Sequence, residues 1–190
     1  MVKLDKIYTR GGDKGKTSLS DGTRLSKCSP RINAIGDVDE ANCAIGLAQT
    51  ALPKNHLLSG ILSRIQNDLF DLGADFAKPG ADATDGNLRI QDKQVTRLET
   101  EIDLLNGSLE PLSSFVLPSG SISASQMHVA RAVTRRAERT ALSLAAAEPI
   151  NQFALQYLNR LSDLLFVAAR TENDNGNADT LWVPGLNIEE

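Results

Sequence analysis

The stretch ASQMHVARAVTRRAERTALSLAAA, residues 124–147, decides the fold. It reads as one long helix. Ser123 stands just before it and Gln126 three residues on, the spacing of a capping box, in which two side chains satisfy orphan amides reciprocally. Arg131, Arg135 and Arg139 recur every four residues and so stack along one face, with His128 three before Arg131 and Glu138 three after Arg135. Three aligned guanidinium groups repel one another unless an anion lies opposite. Two readings stay open at this point. One is a solvated face partly neutralised by Glu138. The other is a polyphosphate site, because guanidinium presents fixed donor forks that match phosphate oxygens.

The neighbouring segments have the same period. Downstream, a helix over 151–172 carries Ala154, Leu155, Leu158, Leu161, Leu165 and Ala168 at three- and four-residue steps. Asn159 and Asp163 share its other side with Gln152 and Gln156, a wet face unless it borders a cleft, in which case Asn159 could bond a ligand. Upstream, Asp37 and Glu40 make a second capping-box pattern, opening a helix that Pro53 stops. A further helix spans 55–76, and another spans 91–106 before Asn106-Gly107. KPGADATDGN, residues 78–87, is a surface loop. No segment alternates at period two for long enough to predict a strand. The expected architecture is an all-α, up-and-down bundle of five helices with a Gly-rich N-terminal loop. Residues 1–30 form that loop, 31–172 the bundle, and 173–190 a turn-rich, loosely ordered tail.

Composition bounds the function. The chain has 190 residues, 41% of them apolar and 23% charged, with only 4% aromatic. That suits one soluble domain, with helices favoured over a sandwich. A net charge of −4 argues against a general nucleic-acid partner. Cys28 and Cys43 form neither a ligand motif nor a disulfide framework. No apolar run reaches the length of a membrane span, and MVKLDKIYTR lacks a signal-peptide core, so a cytoplasmic protein without membrane association is expected. His56 and His128 lack the Glu-x-x-His spacing of a carboxylate-bridged metal pair, so no protein-held metal is expected.

Basic residues gather in two places, the arginine helix and the first thirty residues. The second place contains YTRGGDKGKTSLSDG, residues 8–22, with Gly-Lys-Thr at 15–17 like the end of a Walker A loop. The template fails, because its first glycine would fall on Arg10, and TSLSDGTRLSK is too rich in Ser and Gly to open a helix. The chemistry survives: glycines allow close backbone approach, so successive N–H groups can converge on an anion, with Arg10, Lys14, Lys16, Arg24 and Lys27 around them. A solvated segment is the alternative.

In order along the chain, KIYTRGGDKGKTSL, GDVDEANCAIGLA, FVLPSGS, HVARAVTRRAER and LNRLSDLLFVAAR together resemble the PduO-type ATP:cob(I)alamin adenosyltransferases, over residues 6 to 171. The resemblance implies a homotrimeric five-helix bundle with ATP at each subunit interface. It implies ATP contacts from Thr9, Arg10, Gly11, Gly12, Asp13, Gly15, Thr17, Ser18 and Lys27 of the loop, from Arg135, Arg136, Glu138 and Arg139, and from Asn159. Arg131 matches an arginine that pairs across the interface with an aspartate, here Asp39; with Arg135 these make up the expected catalytic set. Phe115 falls where the family sets a phenylalanine against the corrin, and Trp182 is the one large ring of the tail that could cover the same ligand. The implied substrates are ATP, with Mg2+ held mainly by its phosphates, and cob(I)alamin or a related corrinoid. An electron-donating reductase is the implied partner. A nucleotide-binding regulator of the same fold and a P-loop phosphotransferase, which needs a parallel sheet, are the competing classes.

Overall fold

A computed structural model of the chain describes residues 7–188; the first six residues of the expected loop and the last two of the expected tail lie outside the described residues. The order is β1 (Lys16–Ser18), β2 (Arg24–Ser26), α1 (Pro30–Thr50), α2 (Leu57–Phe76), α3 (Asp92–Asn106), α4 (Ile122–Ala147) and α5 (Gln152–Glu172). The expectation of an all-α bundle holds. Contacts fix the directions. Asp37 faces Thr140 and Arg31 faces Glu148, so α1 and α4 are antiparallel. Asp75 meets Asn151 and His56 meets Glu172, so α2 runs against α5. Glu99 meets Arg160, and Glu110 meets Arg170, so α3 runs with α5. Ser123 meets Glu172 and Glu138 meets Asn159, so α4 runs against α5 and the helices alternate up and down in chain order.

The predicted stripes line the core, with Ile45, Ile65, Leu69, Leu98, Leu158 and Leu165 all buried. Two buried polar nodes brace the outer helices. Asp68 accepts hydrogen bonds from Tyr157 Oη at 2.8 Å, Gln94 Nε2 at 3.0 Å and the Arg97 guanidinium, joining α2, α3 and α5. Asp75 accepts from Arg89 Nη1 at 2.8 Å, the Ile90 amide at 2.9 Å and Asn151 Nδ2 at 2.7 Å. Paired and multiply bonded carboxylates of this kind fix register where unpaired charge could not be buried.

Four expectations need correction. The first helix opens at Pro30, not Asp37: proline at the first helical position loses no bond and presets φ. Asp37 and Glu40 are freed from capping and reach α4 instead. The fourth helix is capped by Ser121, whose Oγ accepts from the Ala124 amide at 3.0 Å, while Ser123 Oγ donates to Glu172 at 2.7 Å. Residues 16–26 are not plain loop but an antiparallel hairpin pairing Lys16 with Ser26, Thr17 with Leu25 and Ser18 with Arg24. Strands of three residues are too short to register as alternation. The hairpin tip docks on the end of α2, with Leu19 buried and Ser20 donating to the Ala77 carbonyl from both its amide and its hydroxyl. The tail is anchored as far as Trp182, since Thr180–Trp182 pairs with Phe115–Leu117.

Candidate functional site

The loop that precedes β1 is a compact turn. Arg10 and Gly15 both take positive φ, 58° and 74°. Gly15 N–H donates to the Gly12 carbonyl at 3.1 Å, and the Gly15 carbonyl accepts from the Lys27 amide at 2.8 Å. The Lys27 ammonium lies against Gly12 so closely that a Cβ there would sit 3.0 Å from Nζ. A small residue at position 12 thus brings a cation onto the backbone turn. Arg24 braces the turn by donating to the Gly11 carbonyl at 2.8 Å and to Ser18 Oγ at 3.2 Å. Thr9, Arg10, Gly11, Asp13, Gly15, Ser18 and Lys27 are exposed, and Gly12 and Thr17 half-buried.

On α4 the arginines divide by environment. Arg135 and Arg139 are exposed and make no ion pair among the described residues. Arg136 turns sideways to Glu40 and Asp37 of α1, and Asp37 also accepts from Thr140 Oγ1 at 2.5 Å. The Glu40 carboxylate beside it raises the Arg136 pKa. Glu138 accepts from Asn159 Nδ2 at 2.9 Å, and Asn159 Oδ1 accepts from Arg160 at 2.6 Å, so the polar edges of α4 and α5 form one ledge beneath Arg135. On that ledge, burial and the nearby Glu138 charge push the Asp163 carboxyl up, against the pull of Arg160 and Arg135. Arg131 is half-buried, its Nε shielded with no acceptor, and burial followed by the Arg135 charge lowers its pKa.

Arg131 opens onto a cleft of about 700 Å³ walled by residues 112–116, Phe166 and Trp182. Phe115 is 74% exposed, unusual for so large an apolar ring, and lies 6.0 Å from the Trp182 ring, tilted by 53°. Behind Phe166, at 6.2 Å, stands His128, buried with neither ring nitrogen bonded; burial first and Arg131 second lower its pKa. Asp39 does not join Arg131 within the chain. It lies on the outer face of α1, bordering a shallow depression with Asn42, Cys43, Gln66 and the exposed Phe70.

Thus Arg131 and Phe115 come together, as do Glu138 and Asn159, while the loop and Asp39 sit elsewhere on the chain. Phe166 escaped sequence reading, since it lies off the apolar stripe. Glu40 was read as a capping residue and Arg24 as one charge of the loop, so the packing role of each was not visible.

A cationic helix face, a glycine-turn carrying lysine and arginine, and a separate aromatic cleft on an all-α bundle define a class of nucleotide-handling helical proteins. The family model for cobalamin adenosyltransferase matches residues 7–172, and the chain belongs to that family, in its PduO-type branch. The chain is similar to the corrinoid adenosyltransferase of Mycobacterium leprae, 45% identical with 97% of this chain and 98% of the relative covered. It is similar to the cobalamin adenosyltransferase of Cupriavidus metallidurans, 47% identical with 95% of each covered. Among solved structures, a variant PduO-type ATP:corrinoid adenosyltransferase from Lactobacillus reuteri, complexed with cobalamin and ATP, superposes with a TM-score of 0.86 at 39% identity, covering 93% of this chain and 99% of its own.

Proposed function

We propose that this transferase moves the 5′-deoxyadenosyl group of ATP onto the Co(I) of a reduced corrinoid and releases triphosphate, with ATP held at the subunit interfaces of a homotrimer. One observation carries the interface reading. The glycine turn lies where α1 begins and α2 ends, whereas the Phe115 cleft lies where α4 begins and α5 ends. The 21 residues of α5 set these ends about 30 Å apart. The corrin cleft is thus a helix length from this chain's own turn, and among the described residues no hydrogen bond or ion pair joins the turn to α4, so a neighbour's turn is the one that closes on the α4 face.

In this reading Thr9, Arg10, Gly11, Gly12, Asp13, Gly15, Thr17, Ser18 and Lys27 of one subunit face Arg135, Arg136, Glu138, Arg139 and Asn159 of the next. Arg131, its Nε shielded and without an acceptor, pairs across the interface with Asp39, which lies beside the exposed Phe70 and makes no ion pair among the described residues. Arg136 reaches phosphate only by sharing itself with Glu40. Residues 1–30 act as the nucleotide arm, 31–172 as the bundle and 173–190 as the tail of one domain. Mg2+ arrives on the phosphates, which suits a hard cation that keeps its oxygen shell. The enzyme works in the cytoplasm with a reductase as electron donor.

The chemistry needs no protein nucleophile. Co(I) gives its electron pair to C5′ of ATP, the C5′–O bond breaks, and triphosphate leaves with the bonding pair. Charge grows on the departing oxygen, where Arg135, Arg139, Arg10, Lys27 and the turn amides stabilise it. Holding C5′ in line above the cobalt supplies the remainder. The Phe115 ring against the opposite corrin face excludes a lower axial ligand, leaving a four-coordinate Co(II) that accepts an electron more readily. An anaerobic spectrum recorded after adding ATP to reduced corrinoid tests this. A cobalt–carbon product with equimolar triphosphate is expected; ATP binding without either product contradicts the reading.

A further inference from the structure

The cleft is made by two strands of chain that are far apart in sequence, and one carboxylate ties them to the bundle. Asp179 has its side chain only 2% exposed. Its Oδ2 accepts from Arg170 Nε at 2.7 Å and its Oδ1 from Asn173 Nδ2 at 3.1 Å. Arg170 and Asn173 are themselves buried at the end of α5. Arg170 also donates to the Glu110 carbonyl at 3.0 Å, and Asn173 receives the Ser121 amide at 3.0 Å and donates to the Ser119 carbonyl at 3.1 Å. The node therefore clasps both segments that flank Phe115.

The backbone between node residues is wound tightly to allow this. Asp174, Asn175 and Gly176 all have positive φ, and a Cβ on Gly176 would meet Arg170 Nη2 at 2.9 Å. Gly120 has no room for any side chain against Asn173. Directly after Asp179 the pairing begins: the Leu117 amide donates to the Thr180 carbonyl at 2.8 Å, and the Trp182 amide to the Phe115 carbonyl at 2.7 Å. Ser114 Oγ closes it on the Trp182 carbonyl at 2.7 Å. Residues 181–188 are all exposed, so little beyond this pairing and the node holds the tail on the bundle. A buried ion pair adds little net stability over an apolar substitute, but it does fix geometry.

We infer that Asp179, clasped by Arg170 and Asn173, is a positioning residue for the reaction: it sets the tail strand in register so that Trp182 and Phe115 form one wall of the cleft. The consequence for turnover rests on the cleft being the corrin site.

The test has a ligand-free arm and a kinetic arm. Trp182 is the only tryptophan, so its emission and acrylamide quenching report the tail directly. Asp179→Asn keeps shape and loses the charge, and Asp179→Ala removes the clasp. Both should redden the emission and raise quenching, Ala more than Asn; unchanged fluorescence in Asp179→Asn overturns the inference even if Asp179→Ala does not fold. In steady state, Asp179→Asn should raise the KM for cob(II)alamin on the order of tenfold or more, as misplacement by an ångström can, and leave the KM for ATP unchanged. A parallel rise in both means general damage and overturns it. Asp179→Asn/Trp182→Ala should be no worse than Trp182→Ala alone; independent, multiplying losses contradict action through Trp182. Phe115→Ala separates the two claims. If it leaves the cob(II)alamin KM untouched, the corrin reading fails while the fluorescence arm still judges Asp179.

Discussion

Arg135→Ala is the sharpest single perturbation. Arg135 is exposed at mid-helix, makes no ion pair among the described residues, and stands one turn from Arg131 and one from Arg139. Alanine is the best helix former, and removing a like charge from a row of three relieves repulsion, so the thermal midpoint should stay level or rise slightly. Catalysis should suffer out of proportion. A donor aimed at the charge that develops on a leaving group is worth on the order of 10²- to 10³-fold in kcat. Arg135→Lys keeps the charge but loses the bidentate fork, so it should fall between wild type and alanine. The assay is anaerobic formation of the cobalt–carbon product from cob(I)alamin at saturating ATP, with circular dichroism confirming the helix. A wild-type kcat from Arg135→Ala at saturating ATP would refute the assignment of triphosphate to this face.

Other outcomes follow from the same geometry. Phe115→Ala should slow the reaction started from Co(II) more than that started from Co(I), and equal slowing of both removes the axial-ligand argument. Asp68→Ala strands the Tyr157 hydroxyl, Gln94 and Arg97 between three helices, so urea unfolding should show a loss of about 1–3 kcal/mol; no loss means the node is dispensable. His128 is buried neutral with its pKa below the ordinary 6.5. The unfolded chain then binds the proton more tightly, so wild type loses stability as pH falls below 6.5. His128→Phe should lose less stability than wild type between pH 8 and pH 5.5 in thermal melts, and identical pH slopes contradict this.

Helix periodicity was legible because Leu, Ile and Ala recur on one face in every helix, and those residues are the core. Helix starts were less legible, because a capping-box pattern at Asp37 outweighed Pro30 in the sequence although proline suits the first turn better. The hairpin and the tail pairing rest on backbone contacts between distant residues, such as Trp182 to Phe115, which leave no periodic trace. Within the site, the arginine row was visible from spacing alone. The partition that matters, with Arg136 bound to Glu40, Arg131 at the cleft and Arg135 free, depends on which helix packs on which face, and one helix wheel does not contain that.

The central claim is that the loop of one subunit and the α4 face of the next share one ATP. Subunit complementation tests it directly. Lys27→Ala disables the loop and Arg135→Ala disables the helix face, so each homotrimer should be nearly inactive. Chains co-expressed or reassembled together create interfaces in which an intact loop meets an intact helix, about a quarter of all interfaces for random equal mixing. Recovery of activity toward that fraction is the predicted result. Activity no greater than the sum of the two separate variants would contradict the shared site.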